Sequence, residues 1–183
     1  MPNGFDAASE LKNLLPLLPQ WRLQKALSYR QNIDKFLCAK SFVILEDVLR
    51  ESFGLAKCPE FSYEIHGKPC FRDYPEIFFN ISHCRNGIAC VVMDKPVEID
   101  IEEIQFDENL AKTIFNQEEL GTIRSAEDQA VKFTELWTRK ESFLKLTGEG
   151  LRNDMKDVLS SANEVAFTTE INQSAGYVYS IAI

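Results

Sequence analysis

Apolar residues recur at helical spacing along the first fifty positions and then change to alternation. Leu11, Leu14, Leu15, Leu17 and Leu18 predict a short helix over 10–18, interrupted by Pro16 and stopped by Pro19, because proline has no N–H to donate. A second short helix is predicted over 21–29, with Arg22 and Lys25 on one side. From Asp34 to Phe53 the apolar positions Leu37, Val43, Ile44, Val48 and Leu49 predict a longer helix, with Gly54 as its stop. Residues 61–65, Phe61 to Ile65, read as a strand closed by the turn residues Gly67 and Pro69.

Beyond that turn the period is that of strands. Residues 77–81 and 88–93 are predicted strands joined through Asn86-Gly87, a favoured hairpin pair. Lys95-Pro96 then leads into 97–102, where Val97, Ile99 and Ile101 alternate with Glu98, Asp100 and Glu102. Residues 107–147 are helical in pattern, with Gly148 and Gly150 ending the last helix, and 164–169 with 177–183 suggest a closing antiparallel pair. Each half thus runs from helix to strands, which hints at a duplicated unit with halves 1–95 and 96–183.

The alternating segment is the most informative one. Its period predicts a half-buried strand with the apolar side turned inward and three acids on the other face. Same-face carbons on a strand lie roughly 7 Å apart, so the carboxylates repel unless something positive sits between them. A divalent cation held by oxygens would remove that conflict, and a solvated acidic edge would tolerate it.

Composition narrows the classes. Charged residues make up 26 % of the chain and hydrophobic ones 45 %, which argues for a folded domain against disorder. The formal charge of -8 argues against a broad nucleic-acid surface. Five cysteines, with no C-x-x-C pair, read as reduced thiols in a cytoplasmic protein. No apolar run approaches a membrane span, so no membrane partner is expected.

Two further groups of residues could carry chemistry. Trp137-Thr138-Arg139-Lys140-Glu141-Ser142 leads on to Lys145, and Glu141 stands one turn before Lys145, as in an ordinary surface ion pair. The same spacing would let Glu141 share a cation with Asp100 and Glu102 while Lys145 faces an anion. Ser82 and His83 close a strand just before the hairpin turn, where polar groups can meet a phosphate or a moving proton. Lys68 sits in the tight turn Gly67-Lys68-Pro69.

Taken in order, Phe79-Asn80-Ile81-Ser82-His83, Ile99-Asp100-Ile101-Glu102 and Trp137-x-x-Lys140-Glu141-Ser142-x-x-Lys145 resemble the 4'-phosphopantetheinyl transferases, and most closely their surfactin-synthetase-activating type. Gly67-Lys68-Pro69 and Gly148-x-Gly150-Leu151 match that type too, and the resemblance runs from about Arg22 to Leu151. It implies an α+β fold of two similar halves in a pseudo-twofold arrangement, each a long helix on a small, mainly antiparallel sheet.

The resemblance also implies roles. Asp100, Glu102 and Glu141 would hold magnesium, and with it the pyrophosphate of coenzyme A. Ser82 and His83 would contact coenzyme A phosphates, Lys68 the nucleotide end, and Arg22 and Lys25 the 3'-phosphate, while Lys140 belongs to the same substrate-binding set. Glu141 and Lys145 would be catalytic. The implied reaction moves the phosphopantetheine arm to a serine of an acyl or peptidyl carrier protein and releases adenosine 3',5'-bisphosphate. A single chain containing both halves has no need to oligomerise to complete its site, so a monomer is expected. The segment from Phe106 to Arg124, with Lys112 and Phe115, reads either as the carrier-docking surface or as a helical connector whose aromatic residues are core.

One departure stands out: Glu98 occupies a position where the family usually has glycine. It could add a metal contact, turn aside, or weaken coenzyme A binding. The alternatives are another magnesium-dependent phosphotransferase, or an inactive relative that binds coenzyme A or a carrier without transfer.

Overall fold

A computed structural model describes residues 5–64, 67–148, 150 and 155–183. Helix α1 (Ala7–Leu14) starts where the Asp6 carboxylate accepts from the Ala8 N–H at 3.0 Å, and it tightens into a 3-10 turn over Leu15–Leu17 at Pro16. Helix α2 (Gln20–Ser28) begins directly behind Pro19. Helix α3 (Asn32–Phe53) ends at Gly54, whose φ of 67° is left-handed and lets its N–H reach back to the last-turn carbonyls. Leu11, Leu14, Leu18, Phe36 and Phe42 bury the shared face of these three helices.

Strands β1 (Phe61–Tyr63) and β2 (Pro69–Phe71) form an antiparallel pair. Ile65, expected to extend the first of them, lies outside the described residues, as does Leu151 of the later glycine motif. Strands β3 (Phe78–Cys84) and β4 (Gly87–Met93) form the expected hairpin, but its tip is Arg85-Asn86 rather than Asn86-Gly87. Gly87 already pairs with Cys84, and a Cβ there would come within 2.8 Å of Ile101 Cδ1. The glycine answers a close approach to the next strand.

That strand, β5 (Glu98–Glu103), is the edge of an antiparallel sheet ordered β5-β7-β6, with β6 (Phe167–Asn172) and β7 (Tyr177–Ala182). The closing pair was expected to begin three residues earlier on β6, at 164; its pairing is as expected. Between β5 and β6 the expected helical stretch is divided into three helices. Helix α4 (Glu108–Ile114) is capped by Asp107 and α6 (Gln129–Thr147) by Asp128, while α5 (Gln117–Ser125) has a full capping box from Asn116 and Glu119. Phe115 and Phe133, 0 % and 1 % exposed, meet edge to face beneath them at 5.4 Å.

The result is α+β with antiparallel sheets, α3 packed on the β3–β4 hairpin and α6 on the three-stranded sheet. None of the described helices is long and apolar enough to cross a membrane.

Candidate active site

Strand β5 is covered on both faces, which corrects the half-buried reading. Glu98 and Asp100 are 1 % and 4 % exposed, as enclosed as Ile99 and Ile101. Helix α6 and β3 close over the acidic side. Two side chains of β3 fasten it there: Asn80 Oδ1 accepts from the Ile99 N–H at 3.2 Å, and Ser82 Oγ donates to Asp100 Oδ1 at 3.1 Å. Ser82 Oγ also accepts from the Ile101 N–H at 3.4 Å.

The charge placed among the acids is an ammonium. Lys145 Nζ lies 2.6 Å from Asp100 Oδ1 and donates to the Ile99 carbonyl at 3.2 Å. It cannot balance all of them. Glu102 and Glu141 are close enough to Asp100 for its charge to act on both. Burial, then Asp100, pushes the Glu141 carboxyl up to about 7 against the attraction of Lys145. Glu102 is raised for the same reasons, with a hydrogen bond from Trp137 opposing the shift.

Among the described residues no three acidic, histidine or cysteine side chains are drawn together as a finished metal cage. The donor set nevertheless fits a hard cation. Asp100 Oδ2 is buried without a partner, and three neighbouring carboxylates share one lysine. An oxygen-binding divalent ion would satisfy that atom and offset the surplus charge.

A second feature lies on the far side of β3. A cavity of about 370 Å³ is lined by Arg22, Lys25 and His83, with Tyr29, Phe61 and Tyr63 among its walls. Along β3, Ile81 and His83 line the cavity while Ser82 turns to Asp100, and Asn80 both lines the cavity and accepts from the Ile99 N–H. Arg22 is held there by donating to the Cys38 carbonyl at 2.8 Å and by the Phe42 ring, 5.5 Å from its guanidinium carbon. The aromatic walls come from the end of α2 (Tyr29), from β1 (Phe61 and Tyr63) and from β3 (Phe79), so no local pattern could have marked them together. Asp34 also lines the cavity, and nothing in the sequence set it apart from other helix-starting acids.

Four expected residues are placed otherwise. Lys68 does not line this cavity; its ammonium pairs with the Glu98 carboxylate. Lys140 is 0 % exposed, bonded to Glu119 at 2.9 Å and to the Met155 carbonyl at 2.8 Å, with the Phe115 ring 5.3 Å away. That enclosure ties α6 to α5 and keeps the ammonium from any ligand, so a substrate contact does not fit it. Phe115 is core rather than docking surface, Lys112 pairs with Glu108, and the exposed apolar residues of that segment are Phe106 and Leu110.

Comparison with known proteins gives the family. The family model described as the 4'-phosphopantetheinyl transferase superfamily matches residues 96–180, which hold β5 and α6. The chain is 31 % identical over 163 residues to 4'-phosphopantetheinyl transferase psf-1 of Bacillus pumilus, covering 87 % of this chain and 70 % of that one. It is 34 % identical to 4'-phosphopantetheinyl transferase Sfp of Bacillus subtilis (strain 168), over 60 % of this chain and 50 % of the relative. A further 4'-phosphopantetheinyl transferase of Bacillus subtilis is 37 % identical, over 79 % and 66 %. The matched regions thus span half to about two thirds of these relatives' lengths. The chain belongs to the 4'-phosphopantetheinyl transferase superfamily, and within it to the surfactin-synthetase-activating type.

Proposed function

We propose that the chain transfers the 4'-phosphopantetheine arm of coenzyme A to a serine of an acyl or peptidyl carrier protein, releasing adenosine 3',5'-bisphosphate. The observation that carries this reading is the pairing, across one strand, of a basic aromatic-walled cavity with a buried cluster of acids. The cavity suits the nucleotide end. Arg22 and Lys25 would meet the 3'-phosphate and His83 a phosphate nearer the acid cluster, while the size is ordinary for a small-molecule site.

Asp100, Glu102 and Glu141 would hold magnesium, which when bound neutralises charge on the pyrophosphate oxygens. The residues themselves do the rest. Glu141 accepts the proton of the attacking serine hydroxyl, a weak nucleophile without a base. The serine oxygen bonds to the phosphorus that carries the pantetheine arm. The bond from that phosphorus to the bridging oxygen breaks, and its electron pair leaves with adenosine 3',5'-bisphosphate. Lys145 and Ser82, both hydrogen-bonded to Asp100, offset charge beside the reacting phosphate.

The domain boundary between residues 95 and 96 sets the cavity in one half and the acids in the other. One chain supplies both, which supports action as a monomer. The charge of -8 disfavours nucleic acid as a partner, and five free thiols suit a reducing cytoplasm.

Dephospho-coenzyme A, lacking the 3'-phosphate, is expected to bind about ten times more weakly than coenzyme A, the loss of one charge-assisted contact. Calorimetric titration of both ligands measures it. Replacing Arg22 and Lys25 by glutamine should shrink that difference, and equal affinities in the wild type would remove this cavity from the site.

A further inference from the structure

The β1–β2 hairpin pairs with no other strand among the described residues, so side chains must set its position. At one end Phe61 and Phe71 stack on Phe79 with ring centroids 5.3 and 4.4 Å apart. At the other end is the turn, closed by Gly67 N–H to the Glu64 carbonyl at 2.8 Å and Glu64 N–H to the Lys68 carbonyl at 2.9 Å. Among the described residues this turn is anchored by Lys68, whose ammonium meets the Glu98 carboxylate on β5. The hairpin matters to the ligand because Phe61, Tyr63, Gly67 and Pro69 form a wall of the basic cavity.

We propose that Glu98 is a positioning residue, which through its buried ion pair with Lys68 fixes the Gly67–Pro69 wall of the cavity to the strand carrying Asp100. Glu98 itself touches no ligand. Its place is otherwise unfavourable, since a carboxylate that is 1 % exposed is costly to bury unless a cation meets it. Lys68, with its side chain 33 % exposed, supplies that cation and loses the freedom to swing toward solvent. The same strand therefore carries two lysine pairs side by side, Lys68 with Glu98 and Lys145 with Asp100, one for the cavity wall and one for the acid cluster. The pair replaces close backbone packing as the means of joining wall and strand.

The inference rests on coenzyme A being the cavity's ligand, and its test separates the two. Glu98→Gln keeps the shape and removes the charge, and Glu98→Leu serves if the glutamine variant does not fold. Without divalent cation, the variant is expected to bind coenzyme A about tenfold more weakly, because ordering the wall then falls on the binding event. With magnesium, the KM for coenzyme A should rise by a similar factor while the KM for the carrier stays put; general loosening would move both. Hydrogen exchange at the Gly67 and Glu64 amides should quicken in the variant more than exchange in α6. A wild type that fails to bind coenzyme A defeats the functional reading, and the exchange result still decides the clamp. A variant with unchanged exchange at Gly67, or with coenzyme A affinity equal to or above wild type, overturns the proposal and makes Glu98 a competitor for Lys68.

Discussion

Asp100→Asn is expected to lower transfer at least about 100-fold, the usual scale for removing one group that stabilises developing charge. Asp100 is where the site's interactions converge. One oxygen takes Lys145 at 2.6 Å and Ser82 at 3.1 Å, and the other is buried with no partner. Asparagine keeps the shape and one acceptor but loses the charge and half of the oxygen donor set. The same change relieves the repulsion that raises Glu102 and Glu141, so the fold should persist, as near-ultraviolet circular dichroism would show. A variant that turns over within about tenfold of wild type at limiting magnesium would leave Asp100 outside the chemistry.

Glu141→Gln separates stability from activity. The Glu141 carboxyl is pushed up to about 7 from 4.5, first by burial and then by Asp100. A folded state that prefers the protonated form gains stability that is fully present below the unfolded value near 4.5 and is lost as pH rises through about 7. Above that the ionised carboxylate opposes folding by at most about 3 kcal/mol, and by about 1–2 kcal/mol once partial exposure to solvent is allowed for. The glutamine variant should therefore melt about 2–8 °C higher than wild type at pH 8 without divalent cation, and the gain should shrink toward pH 5. Its transfer activity should be lost, and magnesium should raise the wild-type midpoint more than the variant's. Thermal scans at the two pH values, with and without magnesium, measure all of this. A variant less stable than wild type at pH 8 without cation would contradict the electrostatic account of the site.

Local pattern carried the parts that depend on neighbours in sequence. The alternation from Val97 to Glu102 gave the strand, the glycine at 54 gave the end of α3, and the order of three motifs gave the family. Long-range partners stayed hidden. Glu98 shares the alternation of Asp100, and only the tertiary position of Lys68 separates their environments. Lys140 reads like any helix lysine until Glu119 and the Met155 carbonyl close over it. The helical character of 107–147 was legible, and its inner boundaries could have been placed from the capping residues Asp107, Asn116 with Glu119, and Asp128. The cavity could not be read beyond Arg22, Lys25 and His83, because its aromatic walls reach it from the end of α2 (Tyr29), β1 (Phe61 and Tyr63) and β3 (Phe79).

The most direct test of the central claim is the intact mass of a purified carrier protein incubated with this chain, coenzyme A and magnesium. The account predicts a gain of one phosphopantetheine arm at the acceptor serine, abolished by a chelator and absent when that serine is alanine. A carrier of unchanged mass, under conditions where calorimetry shows coenzyme A bound and for carriers of both fatty-acid and peptide synthesis, would contradict it and make the chain a binding relative without transferase activity.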